Sequence, residues 1–534
     1  MPEVYTTTGQ NTDGYMTQKA VTDALAAKAD TSTLNIYVTT NDMNTALAAK
    51  ADTADLAAKA DKTYVDQAIA AIPSGGGSSS GSGDTNLGTD SAGHLVVIGD
   101  DGNIAPSDTT EDSLIEALIR SGIYQAKQAV GLDINYQEKS FIRTQDAVSY
   151  ESGSDFDAYP MYGGRMRCNV ADNGVITAFY GDSNYKEDGT NGQVMVYQPK
   201  FYYQRFPLKV DNAVKGQIIR RESILISAVE QSGFKLHPLF DAGDGASYDY
   251  VLLPAYEGTV ISNKLYSIAG FQPSTNITIE AAENYANVRG DGWHIMNMQA
   301  ISANQMLEMI EFGSMNGQTS LEDGVSDLPL TPNVNCSAVT GSTSILGNAT
   351  GHAESTISKN NGTDVTNTTA GTRAITYRGM ENPWGNVWQM IGDTVIKGDG
   401  ASQGGQPHIL NHSTNKYEYI GFNLPAIYGW ISAMGYGDVK YDWVFLPIEC
   451  ASTANSLLPV GDNLWTVSGV AEDKIIAVGG TYEYKENNGP FYYAADRDAA
   501  ESARHNYGAR LMYIPTKNSI YTANINKWKQ HIGG

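Results

Sequence analysis

The chain of 534 residues is poor in cysteine and in positive charge. Its three cysteines, Cys168, Cys336 and Cys450, lie far apart, which excludes a disulfide framework and a four-cysteine zinc site. We therefore expect three unpaired thiols. The 35 Lys and Arg residues against 59 Asp and Glu residues give a net charge of −24. This balance speaks against a nucleic-acid partner, because phosphate contacts need clustered cations.

Long apolar runs are also missing. No segment approaches the roughly 18 apolar residues that a membrane-spanning helix needs, so we expect no membrane insertion. The first ten residues, MPEVYTTTGQ, lack the basic and apolar regions of a secretion signal. The sequence therefore predicts a protein made in the cytoplasm.

The motifs of common catalytic and metal sites are absent as well. The sequence has no nucleophile elbow, no Walker A loop, no zinc-protease HExxH and no dinucleotide-binding fingerprint. His408 and His412 have metal-like spacing, but Pro407 argues against a helix there. The acidic turns at 182–184 and 241–244 do not follow the calcium-loop order. We expect no metal and no cofactor.

The N-terminal region, residues 1–72, is rich in alanine and repeats the hexapeptide LAAKAD at 25–30, 47–52 and 56–61. Each repeat favours a short helix, and helices of this length are not stable alone. Their leucine stripe must pack against copies of the chain or against a partner. The pattern predicts a thin oligomeric shaft, and the alternative is a frayed helical linker. The leucine spacing does not support a long regular coiled coil.

The remaining chain divides by composition. Residues 73–84 form a Gly/Ser linker. Residues 85–128 are a connector with a strand at 95–98 and an amphipathic helix at 113–128. From 129 to 534, short Tyr-, Val- and Ile-rich runs alternate with Gly/Asn/Asp turns, which predicts a β-rich domain.

Few helices are expected in that domain. The clearest are at 279–287 and 300–312, and the Ser/Thr/Asn/Gly-rich segment 331–375 favours a long surface loop. The fold class is therefore α+β: an Ala-rich helical shaft, a flexible linker, and a large β-rich head.

Several motifs in the head match one family in order along the chain. Residues 377–388 (YRGMENPWGNVW) resemble the G-x-E-N-x-x-G-N-V-W signature of the C-type-lectin-like fold, as found in formylglycine-generating enzymes and in retroelement-diversified binding heads. Residues 479–482 (GGTY) and 506–511 (NYGARL) resemble the opening and the closing strand of its last segment, with Ala509 in place of the usual Phe.

Other segments resemble bacteriophage proteins. Residues 165–172 and 198–203 look like parts of phage tail proteins with such a head, and the LAAKAD repeat is similar to tail-fibre shafts. Together the resemblances cover most of 1–72 and 130–515. They imply a tail-fibre receptor-binding protein of the virion, whose shaft is a homotrimer. The N-terminus would join other tail or baseplate proteins, and the head would bind a bacterial surface glycan or protein.

Two alternatives remain open at this point. One is a surface-glycan depolymerase, which would need a carboxylate pair in a groove. The other is a purely structural tail or baseplate subunit. The oxidase activity of formylglycine-generating enzymes is not expected, because their reactive cysteines lie late in the domain and Cys450 is the last thiol here.

The motifs also predict which residues build the scaffold. Gly385 and Asn386 suit a tight turn, and Trp384 and Trp388 would bury large area around it. Arg510 would anchor the closing strand through forked hydrogen bonds. We interpret these five residues as structural.

Receptor contacts are predicted in the segment 480–508, which displays ligand-binding side chains in the fold that it resembles. Tyr and Arg are frequent in binding hot spots, and Asn adds adaptable hydrogen bonds. The alternative is that half of the rings are core residues of alternating strands. The candidates are Tyr482, Tyr484, Asn487, Asn488, Tyr492, Tyr493 and Arg497, together with Trp430, Tyr436, Tyr441 and Trp443 from the preceding stretch.

Overall fold

The computed structural model describes residues 4–5, 15–16, 94–98, 104–110, 126, 128–357, 365–398, 404–452, 458–467 and 472–533. The predicted helical shaft, the Gly/Ser linker and the helix expected over 113–128 therefore lie almost wholly outside the described residues. The chain divides into two compact units, Met1–Glu111 and Asp112–Gly534, which we call the N-terminal and the C-terminal unit.

Two strand pairs are described in the N-terminal unit. Strands β1 (Val4–Tyr5) and β2 (Tyr15–Met16) pair in parallel. Strands β3 (His94–Ile98) and β4 (Ile104–Thr110) form an antiparallel pair. The strand predicted at 95–98 is confirmed.

The C-terminal unit is mostly β-sheet with few helices, as the sequence predicts. Its strands in the first half are β5 (Ala129–Asn135), β6 (Ser140–Gln145), β7 (Met166–Val170), β8 (Ile176–Phe179), β9 (Gln193–Pro199), β10 (Tyr202–Asn212), β11 (Gln217–Ser227), β12 (Lys235–Leu236), β13 (Asp241–Gly243), β14 (Ala246–Ser247), β15 (Tyr250–Pro254), β16 (Thr259–Ile261), β17 (Lys264–Tyr266) and β18 (Trp293–Ile295). Those of the second half are β19 (Gly351–Ala353), β20 (Ser355–Ile357), β21 (Val365–Asn367), β22 (Ala374–Tyr377), β23 (Met380–Glu381), β24 (Trp388–Lys397), β25 (Gln406–Asn411), β26 (Lys416–Tyr419), β27 (Gly429–Tyr436), β28 (Pro447–Ala451), β29 (Asn463–Trp465), β30 (Lys474–Gly479), β31 (Gly489–Ala494), β32 (Tyr507–Gly508) and β33 (Leu511–Tyr513).

Its helices are α1 (Pro160–Gly163), α2 (Ile279–Asn287), α3 (Met298–Phe312), α4 (Gly317–Ser320) and α5 (Ser519–Gly533). The helices predicted at 279–287 and 300–312 are confirmed as α2 and α3. His408, which has metal-like spacing to His412, lies in strand β25, and His412 lies in the turn after it, in agreement with the argument from Pro407 against a helix.

Two sheets organise the unit. The larger has 14 strands and a central path β12-β10-β11-β27-β29-β31-β30-β24-β25-β26, with β5 and β6 added at β11, β28 at β27 and β32 at β24. The smaller has the order β18-β33-β15-β9-β7-β8. Closing strand β33 therefore pairs with strands from distant parts of the chain.

Helix α3 lies within the main core. It begins where the Asn297 side chain accepts a hydrogen bond from the Ala300 amide (2.9 Å), and it ends at Gly313, whose φ of 62° suits a left-handed cap. Almost every residue of α3 is buried, including the polar residues Asn304 and Glu308. A helix that is buried on all sides needs buried polar partners; Asn304 Oδ1 accepts from Arg165 Nη1 at 2.7 Å, whereas one carboxylate oxygen of Glu308 has no partner among the described residues.

The C-terminal helix α5 closes one face of the smaller sheet. Tyr250 stacks between Tyr197 and Tyr521, with ring centroids 4.5 and 5.2 Å away. Tyr197 also stacks on Trp528 of α5, with ring centroids 5.0 Å apart. Stacked rings of this size bury large apolar area, so α5 is an integral part of the unit.

The three cysteines are free, which confirms that they are unpaired. Cys168 is fully buried, and burial raises its thiol pKa far above the ordinary value. Burial likewise raises the pKa of Cys450 to about 12. Thiols with raised pKa values are weak nucleophiles, because the thiolate is the reactive form.

The segment 331–375 differs from the predicted surface loop. Ala338 and Thr343 are fully buried. The Ala338 amide donates to Asn386 Oδ1 (2.7 Å), and the Thr343 amide donates to Glu381 Oε2 (2.7 Å). This part of the segment is interior because it supplies backbone partners to buried polar side chains. The prediction of a long exposed loop is wrong here.

Candidate functional site

The family-like motif at 377–388 forms a buried polar centre around Glu257. Glu257 Oε2 accepts hydrogen bonds from Asn386 Nδ2 (2.5 Å) and Asn382 Nδ2 (3.2 Å). Its Oε1 accepts from the Val387 amide at 3.2 Å. Burial raises the pKa of Glu257 to about 7, although Arg510 and these amides oppose the rise. The motif residues thus fasten a chain segment from the smaller sheet to the larger one.

The backbone angles of the turn inside this motif require the residue types found at Gly385 and Asn386. Gly385 has a φ of 81° and Asn386 a φ of 61°, in the left-handed region that Gly and Asn tolerate. A side-chain carbon on Gly385 would lie 2.7 Å from the Val325 carbonyl oxygen. Trp384 and Trp388, on either side, are buried.

Arg510 directly precedes strand β33, and its side chain holds the start of that strand in place. Its Nη2 atom donates to the carbonyl oxygens of Glu381, at 2.7 Å, and Asn382. The guanidinium is fully buried and lies 4.0 Å from Glu257. These contacts are structural.

Five of the eleven predicted receptor contacts lie in the interior, which corrects that part of the predicted set. These residues are Tyr482, Asn488, Tyr492, Tyr493 and Trp430. Asn488 bonds reciprocally to the backbone of Thr481, with both distances 2.8 Å. Tyr493 donates to the Phe445 carbonyl at 2.9 Å. These side chains stabilise the fold and do not reach a receptor.

The physical reason is the position of β31. This strand lies between β29 and β30 inside the larger sheet, and all six of its residues are buried. Both faces of the sheet are covered at this point, so neither Tyr492 nor its neighbour Tyr493 can point to solvent.

The other predicted contacts have different environments. Tyr436 is half-buried at the end of β27, and Asn487 is half-buried in a turn. Tyr441 and Trp443 are buried, but both line a large groove that is described below. Only Tyr484 and Arg497 of the predicted set line a cleft within the segment 480–508 itself.

We call this cleft the Tyr484 cleft. Its volume is about 160 Å³. It opens beside β29 and β31. Its lining residues are Trp465, Glu483, Tyr484, Asp496, Arg497, Arg504, His505, Asn506 and Tyr507.

One side of the Tyr484 cleft is aromatic. Tyr428, with 62% of its surface exposed, stacks on Trp465 at a centroid distance of 5.3 Å and an angle of 22°. The Tyr484 ring lies 6.1 Å from Trp465, and burial raises the pKa of its hydroxyl. The indole of Trp465 donates to the buried hydroxyl of Tyr492. The aromatic wall is therefore fixed in place before any ligand arrives.

The opposite side carries paired charges. His505 Nε2 lies 2.9 Å from Glu483 Oε1, and Asn506 Nδ2 donates to Glu483 Oε2 at 3.0 Å. Arg497 Nε lies 3.1 Å from Asp496 Oδ2. The carboxylates of the cleft thus have polar partners already.

Arg504 is the exception. Among the described residues it has no ion pair, and its buried Nε atom has no hydrogen-bond partner. Its carbonyl oxygen accepts from the Asn276 amide (2.8 Å), which fixes its backbone. The same side chain also lines an adjoining cavity of about 290 Å³ with His505. A guanidinium with free donors at a cleft is suited to bind carboxylate or carbonyl oxygens of a ligand.

Arg504 and His505 lie within the segment 480–508 but are not among the predicted receptor contacts. Trp465 and Tyr428 lie outside that segment and were not predicted. Trp465 is separated from the segment in sequence and reaches the cleft through the pairing of β29 with β31, and Tyr428 stacks on Trp465. The Gly-rich, aromatic stretch before the segment was the only sequence signal that pointed toward them.

Comparison with protein-family models gives no match, and comparison with curated proteins gives none either. Within the described part of the chain, no helix is long and apolar enough to cross a membrane.

Proposed function

We propose that the protein is a receptor-binding fibre protein of a phage tail, and that its C-terminal unit has a C-type-lectin-like fold and binds a bacterial surface glycan or protein. The observation that supports this function best is the Tyr484 cleft. It combines an ordered aromatic wall with an arginine whose donors are free, on a scaffold of buried strands. A rigid aromatic wall beside oriented polar groups is typical of ligand-binding sites.

The scaffold supports a binding role in a second way. Tyr492 and Tyr507 support the cleft from the interior of the unit. Both side chains are buried and pack against Trp388. The cleft residues themselves lie in loops and at strand ends. Variable loops on a fixed frame allow ligand contacts to change without loss of the fold.

One observation favours the alternative of a glycan depolymerase: Glu483 and Asp496 line the same cleft. A glycosidase needs two carboxyl groups that flank the scissile glycosidic bond, and the one that acts as general acid must carry a proton. Here each carboxylate already faces a cationic or amide partner, an arrangement that suits binding better than proton transfer. Release of reducing ends from host surface glycan, lost in Glu483→Gln, would instead establish the depolymerase.

The receptor site gives a direct prediction. Tyr484→Ala and Arg504→Gln should each weaken adsorption to host cells by about 1–3 kcal/mol, because each removes a group that faces the cleft and leaves the buried frame intact. Adsorption of the purified full-length protein to host cells measures the loss.

Lys485→Gln is the matched control, since Lys485 is 61% exposed, adjoins Tyr484 and is not a lining residue of the cleft. Normal adsorption of both cleft variants, with folding verified by circular dichroism, would place the receptor site elsewhere.

The shaft gives the second prediction, which concerns residues outside the described part of the chain. We propose that residues 1–72 form a homotrimer and attach the protein to other tail or baseplate proteins. Light scattering should give three chains for the full-length protein and one chain after deletion of 1–83, because the leucine stripe of each repeat needs neighbours. A monomeric full-length protein would contradict the proposed shaft.

A further inference from the structure

The largest cavity that we find in the described residues is separate from the Tyr484 cleft. It has a volume of about 740 Å³ and adjoins a second cavity of about 560 Å³. The two share Pro238, Asp241, Ala246, Lys440 and Trp443 as lining residues, so they form one continuous groove. We call it the Lys440 groove.

The floor of the Lys440 groove is preformed. Trp443 is 3% exposed, its Nε1 atom donates to the Lys440 carbonyl at 3.2 Å, and its own carbonyl accepts from Ser302 Oγ at 2.5 Å. The Tyr441 hydroxyl donates to Glu418 Oε2 at 2.7 Å. The floor side chains therefore need no rearrangement when a ligand binds.

The rim is rich in lysine although the chain carries a net charge of −24. Lys440 and Lys517 line the larger cavity and Lys235 the smaller one, whereas Asp241 is the only acidic side chain in either lining. His294 and His412 add further ring nitrogens to the larger cavity.

Two of these lysines already have acidic partners. Lys235 Nζ, on a side chain that is 52% exposed, lies 2.7 Å from Asp442 Oδ2, whose side chain is 3% exposed. Lys440 pairs with Glu418, and Lys517 has no ion pair among the described residues. An ammonium group has three donors, so each lysine keeps donors for a ligand that approaches from solvent.

We propose that the Lys440 groove binds an acidic polysaccharide, with uronate-type carboxylates at the lysines and sugar rings against the floor around Trp443. Three points favour this class. The two cavities are large enough together for more than one ring, three lysine ammonium groups at the rim keep hydrogen-bond donors for a ligand, and lysine binds anions as a mobile point charge without a fixed geometry. This site is additional to the Tyr484 cleft and does not depend on it.

Titration of the full-length protein with oligogalacturonate, and with neutral dextran oligomers of equal length, tests the proposal. Oligogalacturonate should bind, and its affinity should fall with added salt because the contacts are ionic. The double variant Lys440→Gln/Lys517→Gln should bind at least tenfold more weakly. Ala246→Tyr, which narrows the groove without changing charge, should also weaken binding.

Two control variants locate the site. Lys264→Gln, a lysine outside the groove, and Arg504→Gln in the Tyr484 cleft should both retain oligogalacturonate binding. Loss of binding in Arg504→Gln would move the ligand to the cleft and overturn the proposal. So would absence of binding, equal binding of dextran, equal binding of a DNA oligonucleotide, or unchanged affinity in both groove variants.

Discussion

Replacing Arg378 by methionine should lower the free energy of unfolding of the C-terminal unit by about 3–5 kcal/mol, because it leaves a buried carboxylate without its cation. Arg378 Nε and Nη2 each lie 2.7 Å from one oxygen of Glu311, and Glu311 is 1% exposed. The same guanidinium donates to Asp157 Oδ1 at 2.7 Å and to the Gly153 carbonyl at 2.9 Å. After the change Glu311 would keep only the Tyr377 hydroxyl and one amide.

Urea unfolding followed by tryptophan fluorescence measures this loss. All seven tryptophans lie in the C-terminal unit, so the signal reports on that unit alone. Lys485→Met is the control: its partner Asp327 is 3.4 Å away, both side chains are more than half exposed, and the expected loss is below about 1 kcal/mol.

The double variant Arg378→Met/Glu311→Met separates a lost ion pair from lost packing. It should be more stable than Arg378→Met alone, because no buried charge remains. A loss below about 1 kcal/mol in Arg378→Met would show that the pair does not hold α3 to β22.

The second large effect concerns pH. Burial raises the pKa of Glu308 to about 8, against the opposing charge of Arg165. Glu308 is 3% exposed on α3, and its Oε2 atom has no hydrogen-bond partner among the described residues. The cost of burying the charge exceeds the attraction of the guanidinium.

The sign follows from proton binding. The unfolded chain releases this proton near the ordinary value of 4.5, whereas the folded chain keeps it up to about 8. Between these values the folded state binds more protons, so rising pH favours unfolding. The contribution of Glu308 is therefore fully present below about pH 4.5 and is lost as the pH rises through 8. The loss is on the order of 5 kcal/mol.

Glu308→Gln should remove this loss. We expect the difference in unfolding free energy between the variant and the natural chain to grow in favour of the variant from pH 5 to pH 8. Taking this difference cancels the contribution of Glu257, whose raised pKa acts with the same sign. Glu486→Gln, at an exposed acid, is the control. Parallel pH profiles for Glu308→Gln and the natural chain would contradict the prediction.

Local patterns in the sequence predicted the secondary structure well where they were strong. The strand at 95–98 follows from a short apolar run rich in Val and Ile, and α2 and α3 follow from helix-forming patterns; both signals act within a few residues. The turn at Gly385 and Asn386 was also predictable, because few residue types tolerate its backbone angles.

The candidate site was predicted only in part. Tyr484 and Arg497 line the cleft, whereas Tyr482, Asn488 and Tyr492 are interior. Alternation along a strand identifies two faces, but it does not tell whether one or both are covered. That depends on how many strands and helices pack around it.

The sequence by itself determined the β-rich character of the C-terminal unit, the helices α2 and α3, the isolated cysteines and the glycine-dependent turn, because each depends on local backbone preference or on composition. Only the tertiary structure decided which aromatic rings face solvent and which residues meet. It placed β31 inside the larger sheet, brought Trp465 beside Arg504, and joined Lys440 to Lys517 across one groove. These are contacts between distant segments, and their free energy comes from burial and pairing that no single segment contains.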